Sequence, residues 1–491
     1  MQHYDHFING DWSAPNNGKT IESIDPATGD VWAHFARGDS VDVAKAVESA
    51  HGAFTDGEWG HYSTHQRVDC LLSLADLLEH RWQELVEAEV RDNGKRVTEV
   101  NGQFSGLHAW YRHFAQQALE VESEQLKNQI PGISCTAHYL PFGVIGVITP
   151  WNSPLMILAW KIAPALAAGN TVVIKPSEHA SASTLEFARL CAESSIPDGV
   201  INVITGLGQE AGEPLVKHPL TRKVTFTGSD FGGRKVAEAA ASGIIPATLE
   251  LGGKSPQLLF DDADLENAIN GIVSGIFLSN GQTCVAGSRL IVEDSIHEEV
   301  VSKIIERVSR LKAGDPLDPK TQVAPLANEM HLVKVLSMIA DARAQGAICV
   351  SGGERQYPED RPNGFYVQPT VFTEVTPEMT LWREEVFGPV LAIIRFSDEI
   401  EAVRLANDTD YGLAAGIWTS DETRAQRIAQ QIQAGTIYIN HYRSVDPSSP
   451  IGGFKMSGYG RELGPNAVKD FMQVKSVWLG TAPCLDPFPA T

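Results

Sequence analysis

Basic side chains are scarce in this chain. Against 61 Asp and Glu there are only 39 Lys and Arg, a formal charge of −22 that repels nucleic acid and anionic membrane and favours solubility. Cysteines are few as well, and the six at positions 70, 135, 191, 284, 349 and 484 show neither paired spacing nor a cluster with nearby histidines. That argues against a disulfide framework and against a Cys/His metal site, and predicts reduced thiols in a cytoplasmic protein. Long apolar runs are missing too: Tyr139 to Trp160 carries no charge, but Pro141, Pro150, Asn152 and Pro154 interrupt it, so a buried strand, a turn and a helix start are expected rather than a membrane span. The opening Met1-Gln2-His3-Tyr4-Asp5 has no basic region followed by an apolar stretch, and no secretory signal is expected. Low-complexity segments are absent.

What is present reads as a globular protein: 43% of the residues are apolar and 20% charged over 491 positions, enough for about two or three domains. Val144-Ile145-Gly146-Val147-Ile148-Thr149 is a β-branched run of strand length, followed by Pro154 at the first turn of a helix carrying Met156, Ile157 and Trp160. The rhythm repeats with strand Thr171 to Lys175, helix Ser183 to Ser194, strand Val200 to Thr205, helix Gln209 to Lys217, strand Lys223 to Thr227, helix Phe231 to Ala241 and strand Thr248 to Leu251. Alternation of this kind predicts a parallel sheet with helical crossovers. Ligands of such sheets bind beyond the carboxyl ends of the strands, where Asn152, Lys175, Glu178, Ser229 and Glu250 fall.

Two chemical groups stand out. Cys284, in Asn280-Gly281-Gln282-Thr283-Cys284, offers a thiol nucleophile, and Glu250, in Leu249-Glu250-Leu251-Gly252-Gly253-Lys254, a carboxylate base. Together they fit attack on a carbonyl and hydrolysis of the acyl enzyme that results. Two glycine loops, Gly206-Leu207-Gly208 through Gly212 and Gly228-Ser229-Asp230-Phe231-Gly232-Gly233, each join a strand to a helix. Helix N-termini suit phosphate, yet neither loop has the Gly-x-Gly-x-x-Gly spacing, so glycine alone leaves tight turns and a dinucleotide both open.

The ordered set Thr149-Pro150-Trp151-Asn152, Lys175-Pro176-Ser177-Glu178, Phe226-Thr227-Gly228-Ser229, Leu249 to Lys254, Gly281 to Cys284, Glu385-Val386-Phe387-Gly388-Pro389 and Lys455-Met456-Ser457-Gly458 resembles the NAD(P)-dependent aldehyde dehydrogenase superfamily, from Phe7 to the strand near Val474 to Trp478. The resemblance implies an α/β fold with three parts. These are a Rossmann-type NAD-binding domain (1–120 and 141–252), an α/β catalytic domain (253–456) and a small β bridging or oligomerisation element (121–140 and 457–491). A lone β-ribbon is marginal in water, so a homodimer or homotetramer is expected.

For the site, the resemblance implies that Cys284 forms a thiohemiacetal and then a thioester, that Asn152 and the Cys284 N–H hold the oxyanion, and that Glu250 activates water. Relatives that acylate coenzyme A generally lack that glutamate, so release of a free acid is expected. Lys175 is carried over with the catalytic group and also, with Glu178, to the adenosine ribose. The carboxylate of Glu178 favours NAD over NADP, though some relatives with an acid there use both. Ile148, Trp151, Ser177, Gly208, Gly212, Phe226, Gly228, Ser229, Leu251, Gly252, Glu385 and Phe387 complete the implied cofactor groove, with Asp230 a departure from the small or hydroxyl residue often found there. Ser153, Met156, Trp160, Thr283, Val285, Val445 and Ile451 match the substrate tunnel. Ser153 stands where an aromatic side chain often narrows it, which implies a bulky or medium-sized aliphatic, terpenoid or aromatic aldehyde. Arg443, near the mouth, either admits instead an anionic semialdehyde or is a solvated or interface arginine. No metal is implied. Two other classes stay open: a cysteine-dependent ester hydrolase, which leaves Lys175, Glu178 and Phe387 without a purpose, and a non-catalytic structural relative, against which the intact Cys284, Glu250 and Asn152 argue.

Overall fold

β-Branched segments bounded by glycine and proline form the strands of an eight-stranded sheet in the computed structural model, which describes residues 2–128 and 130–481. Its order is Gly458–Tyr459, Ala247–Glu250, Thr221–Thr227, Val144–Ile148, Thr171–Lys175, Ile201–Val203, His6–Ile8 and Asp11–Ser13. The five strands from Ala247–Glu250 to Ile201–Val203 are mutually parallel and almost wholly buried, as strands covered by helices on both faces are. The crossover helices Pro154–Ala167, Ala182–Ala192 and Asp230–Gly243 lie within two residues of the expected limits. Between them, the stretch expected to be one helix from Gln209 splits into a wide turn, Gly208–Gly212, and a short helix, Glu213–Lys217. Pro214 has no N–H for the next helical bond, which accounts for the break.

A second sheet of seven strands runs in the order Ile348–Ser351, Thr370–Thr373, Val390–Phe396, Arg289–Glu293, Pro256–Leu259, Ala414–Trp418 and Thr436–Ile439. Only Ile348–Ser351 is antiparallel to its neighbour. The third sheet pairs Met472–Gly480 with Ile133–Pro141 in continuous antiparallel register, with Glu124–Leu126 on the far side. Its outer strand leaves Val474, Val477, Trp478 and Leu479 exposed.

The structure departs from the expected boundary at 457. Gly458 and Glu250 are antiparallel partners, and Leu463, Ala467, Val468 and Phe471 are buried in the core beneath the first sheet with Trp59, Tyr111, Phe114 and Ile162. Residues 457–471 therefore pack with the first sheet, and only Met472–Gly480 joins the bridging strands. The pairing needs glycine at 458: its φ is +116°, and a Cβ there would lie 1.9 Å from the Leu249 carbonyl oxygen. Residues 482–491 of the expected bridging element, Cys484 included, lie outside the described residues.

Helix Leu265–Phe277, begun by Asp264 accepting from the Asn267 N–H at 3.1 Å, packs on the second sheet and delivers the chain to Cys284. It crosses strand Ala414–Trp418 at Gly271, where a Cβ would fall 1.9 Å from the buried Trp418 ring. Replacing Gly271 with Val forces that ring to move. The expected result is a loss of about 1–3 kcal/mol of unfolding free energy, read as an earlier denaturant midpoint at unchanged slope.

Candidate active site

The carboxyl ends of strands Val144–Ile148, Thr171–Lys175, Thr221–Thr227 and Ala247–Glu250 open on one edge of the first sheet, facing the second sheet. Residues 149–153 leave that edge as a turn before Pro154 starts the next helix. The turn is held from behind by the end of helix Val86–Asn93: the Asn93 side chain donates to the Trp151 carbonyl at 3.1 Å, and the buried Lys95 ammonium to Ser153 Oγ at 2.5 Å. Asn152 is thereby aimed across the crevice. Its amide donates one hydrogen to the Gln282 carbonyl at 2.9 Å and keeps a second for a ligand.

Cys284 reaches the same place from the other sheet. After Phe277 the chain turns left-handed at Ser279, Asn280 and Gly281, with φ of +54°, +52° and +69°, a conformation that non-glycine residues keep only under external restraint. The restraints are visible. Glu99 Oε1 accepts from the Ser279 N–H and hydroxyl at 2.8 and 3.0 Å, the Asn280 side chain bonds to the backbone of Ala324 and Pro325, and Gln282 Oε1 accepts from Ala327 N–H at 2.9 Å. Gly281 faces the Gly388 carbonyl, where a Cβ would lie at 2.1 Å. The half-buried Cys284 thiol is pushed up to about 12 by burial and then by the charges of Glu385 and Glu250, opposed by backbone N–H groups of Val285 and Cys284. It rests as a neutral thiol.

Glu250 ends its strand buried, and its Oε1 has no hydrogen-bond partner among the described residues. Burial and the neighbouring Glu462 carboxylate push it well above the usual range, with Lys161 and Arg461 opposing. Behind it Lys161 is fully buried, paired with Glu462 and donating to Thr225 Oγ1 at 3.0 Å. A carboxyl group whose protonated form is favoured by burial can exchange a proton with a ligand or water.

A groove continues from Glu250 along the strand ends. Lys175 is buried, which lowers its affinity for the proton, and its ammonium donates to the Pro176 carbonyl at 2.7 Å and approaches Glu178 at 3.5 Å. Burial raises Glu178, but Lys175, its own backbone N–H and His179 together hold the carboxylate below its ordinary range. Ser177 Oγ accepts from His179 N–H at 3.3 Å. Gly212 lies over Lys175 and Ile148, Gly228 and Gly232 over the Phe226 ring, and Gly233 over Leu251. Gly208 faces open space. Ser229 caps helix Asp230–Gly243, accepting from Gly232 N–H at 3.1 Å, and Asp230 stands half-exposed in its first turn, where an acid suits the helix dipole. At the near end Glu385 Oε1 accepts from Gly253 N–H at 2.9 Å and is pushed up to about 7, chiefly by burial. Gly252 lies against the same carboxylate. Phe387, at φ +58°, meets Trp151 edge-on at 5.3 Å, and its carbonyl accepts from His331 Nε2 at 2.7 Å.

The remaining tunnel candidates form two groups. Met156, Val445 and Ile451 are partly buried against the core that contains Trp160, whose ring lies 5.7 Å from Trp110. Val285 packs with Tyr438 beside Cys284, and Thr283 is half-buried next to it. Arg443 differs from expectation: its guanidinium turns back on the end of helix Leu265–Phe277, donating to the carbonyls of Ser274 and Leu278 and to Ser279 Oγ. Lys95, Glu99, Lys161 and Glu462 were not foreseen from sequence, and the one available hint was the turn-forming Asn93-Gly94 that places Lys95. Among the described residues no group of three His, Cys, Asp or Glu could hold a metal, and no helix is long and apolar enough to cross a membrane.

A family model for the aldehyde dehydrogenase family matches residues 12–477. The chain is 40% identical over 477 residues to aminoaldehyde dehydrogenase 2, peroxisomal, of Pisum sativum (96% of this chain, 94% of that protein). It is 38% identical over 477 residues to betaine aldehyde dehydrogenase, chloroplastic, of Beta vulgaris (96% and 95%). Among solved structures it superposes on an NAD+ complex of aldehyde dehydrogenase from Bacillus cereus with a TM-score of 0.95 at 38% identity, covering 97% of this chain and 96% of that one. On a betaine aldehyde dehydrogenase point mutant from Staphylococcus aureus in complex with NAD+, the TM-score is 0.97 at 35% identity, covering 99% of each. With the crevice, the paired sheets and the match along nearly its whole length, this chain belongs to the aldehyde dehydrogenase family.

Proposed function

We propose that the protein oxidises an aldehyde to its carboxylic acid with NAD, through a covalent intermediate on Cys284. The observation that carries this is the convergence of Cys284, Asn152 and Glu250 on one crevice from two different sheets, at the end of a groove lined by Lys175, Glu178, Ser229 and Glu385. The groove fits a dinucleotide: glycines 208, 212 and 228 keep its floor low, the Ser229 helix start offers backbone N–H groups for a pyrophosphate, and Glu178 supplies a carboxylate for ribose hydroxyls that also disfavours the extra phosphate of NADP. Residues 1–120, 141–252 and 457–471 would form the part that binds it, and 253–456 the part that carries the thiol.

Cys284 gives its thiol proton to the ionised form of Glu250, directly or through water, as Sγ adds to the aldehyde carbon; the C–S bond forms, the carbonyl π bond opens, and the oxygen takes the charge, facing the free Asn152 amide hydrogen and the Cys284 N–H. Such fixed donors are worth roughly a hundredfold in rate each. NAD, when bound, supplies the acceptor for the hydride that leaves as this oxyanion collapses. The thioester left on Cys284 is then hydrolysed: Glu250 takes a proton from water, the oxygen adds to the acyl carbon, and the C–S bond breaks to return the sulfur. This needs Glu250 ionised. Because burial beside Glu462 favours its protonated form, the hydrolytic step gains rate as pH rises. Free thiols suit a reducing compartment such as the cytoplasm.

For the substrate, the relatives named for aminoaldehydes and betaine aldehyde handle cations. Here Lys95 and Arg443 stand close to the candidate tunnel with Glu99 between them, and two cationic side chains near its wall disfavour a cationic substrate. That supports a neutral aliphatic, terpenoid or aromatic aldehyde of medium to large size, with an anionic semialdehyde as the other class. The exposed apolar side chains of strand Met472–Gly480 support assembly into a homodimer or homotetramer.

Three outcomes test this reading. Reduced-nicotinamide absorbance should rise with a neutral aldehyde, faster with NAD than NADP. It should vanish in Cys284→Ala, and in Glu250→Gln stop after about one turnover because the thioester persists; ester cleavage without any nicotinamide signal points instead to a hydrolase. Iodoacetamide should alkylate Cys284 of the cofactor-free protein at a rate that climbs with pH and shows no plateau below pH of about 10; a plateau near neutrality contradicts a neutral resting thiol. Light scattering should return twice or four times the chain mass, and a monodisperse monomer removes the assembly.

A further inference from the structure

We infer that Arg443 is a positioning residue for the nucleophile loop, not a contact for the substrate; the inference rests on the reading of Cys284 as nucleophile. Three of the five guanidinium hydrogens are already committed. One nitrogen donates to the carbonyls of Ser274 and Leu278 at 3.3 and 3.1 Å, the other to Ser279 Oγ at 3.3 Å. The first two lie at the end of helix Leu265–Phe277, where the Ser274 carbonyl also takes the Leu278 N–H and a cation meets the negative end of the helix dipole. The third completes a chain in which every donor finds an acceptor. Arg443 donates to the Ser279 hydroxyl, and that hydroxyl donates in turn to Glu99 Oε1, which also takes the Ser279 N–H. Glu99 is fixed from the far side by an ion pair with Arg96 at 3.0 Å.

These bonds fall where the backbone most needs support. Ser279 and Asn280 are consecutive left-handed residues without being glycine, and Arg443 itself sits at φ +66°. Two strained segments from distant parts of the chain are thus tied to each other. The tie leads directly to the reacting groups: the Ser279 carbonyl accepts from Gln282 N–H at 2.9 Å, and the Gln282 carbonyl accepts from the Asn152 amide at 2.9 Å. Cys284 follows two residues later. Losing the guanidinium releases Ser279, then Gln282, and with it the placement of both the oxyanion donor and the sulfur.

The test compares the full-length enzyme with Arg443→Ala, Arg443→Lys and Ser279→Ala, using hexanal as a neutral and succinic semialdehyde as an anionic aldehyde. Arg443→Ala should lose about ten- to a hundredfold in kcat for both aldehydes alike, with KM within about twofold of the parent and the pH profile of Cys284 alkylation shifted. Millimolar guanidinium should restore part of the activity. Arg443→Lys, which can reach one carbonyl but not fork, should fall between. If Arg443→Ala does not fold, Ser279→Ala carries the test, since it removes the middle hydroxyl and should show the same equal kcat loss. A rise in KM confined to succinic semialdehyde, or unchanged kcat in every variant that folds, overturns the inference. An inactive parent enzyme, or activity that survives Cys284→Ala, would instead remove the reading it rests on.

Discussion

Two adjacent glycines let the backbone pass between the sheets at the distance of bare main chain. A Cβ on Gly252 would lie 2.4 Å from the Glu385 carboxylate, and one on Gly253 2.4 Å from the Cys284 carbonyl oxygen. Everything in the crevice follows from this approach. Glu250 precedes it at the end of the first sheet, Pro256–Leu259 follows it into the second, and Cys284 and Glu385 are pulled against it from loops of the second sheet. Any side chain at either position would wedge the two sheets apart, separating acid, thiol and groove by the width of at least a methyl group.

The electrostatics of the crevice follow from the same closeness. Glu250, Glu385 and Glu462 are buried near one another in a chain already rich in acid, and Cys284 feels two of them. Burial of several like charges disfavours ionisation of each, so the thiol rests neutral and the protonated form of Glu250 is favoured. The buried Lys161 offsets part of this from behind. A site at rest in its neutral form is protected from adventitious oxidation or alkylation, since the thiolate is the reactive species.

Much of the fold was legible because its signals are local. The β-branched runs at Val144 and Thr171, the proline at 154 and the Ser229 cap each act within a few residues, and the structure places those elements within two residues of expectation. The wide turn at Gly208–Gly212 was misjudged because one proline outweighs an otherwise helical pattern. The boundary at 457 was missed because a two-residue edge strand has no periodicity to read. At the site, Cys284, Glu250 and Asn152 lie in recognisable motifs, whereas Lys95, Glu99 and Glu462 act through partners 58, 180 and 237 residues away. Arg443 was noticed, but its sequence left a ligand contact and a solvated or interface arginine both open, because a charge in a loop carries no sign of which carbonyls it will meet.

The lock on Gly252 comes from late in the chain. Ser457 Oγ donates to its carbonyl at 2.7 Å across 205 positions, and the next residue completes the sheet beside Glu250. On a ribosome, the thiol, the acid and the groove are all synthesised well before that serine emerges. Until it does, the edge of the first sheet beside Glu250 stays unpaired and the turn at Gly252 unpinned. A nascent or prematurely terminated chain would then carry every reacting group while lacking the means to hold them together. The order of synthesis therefore separates the making of these residues from their fixing in place, which waits for Ser457.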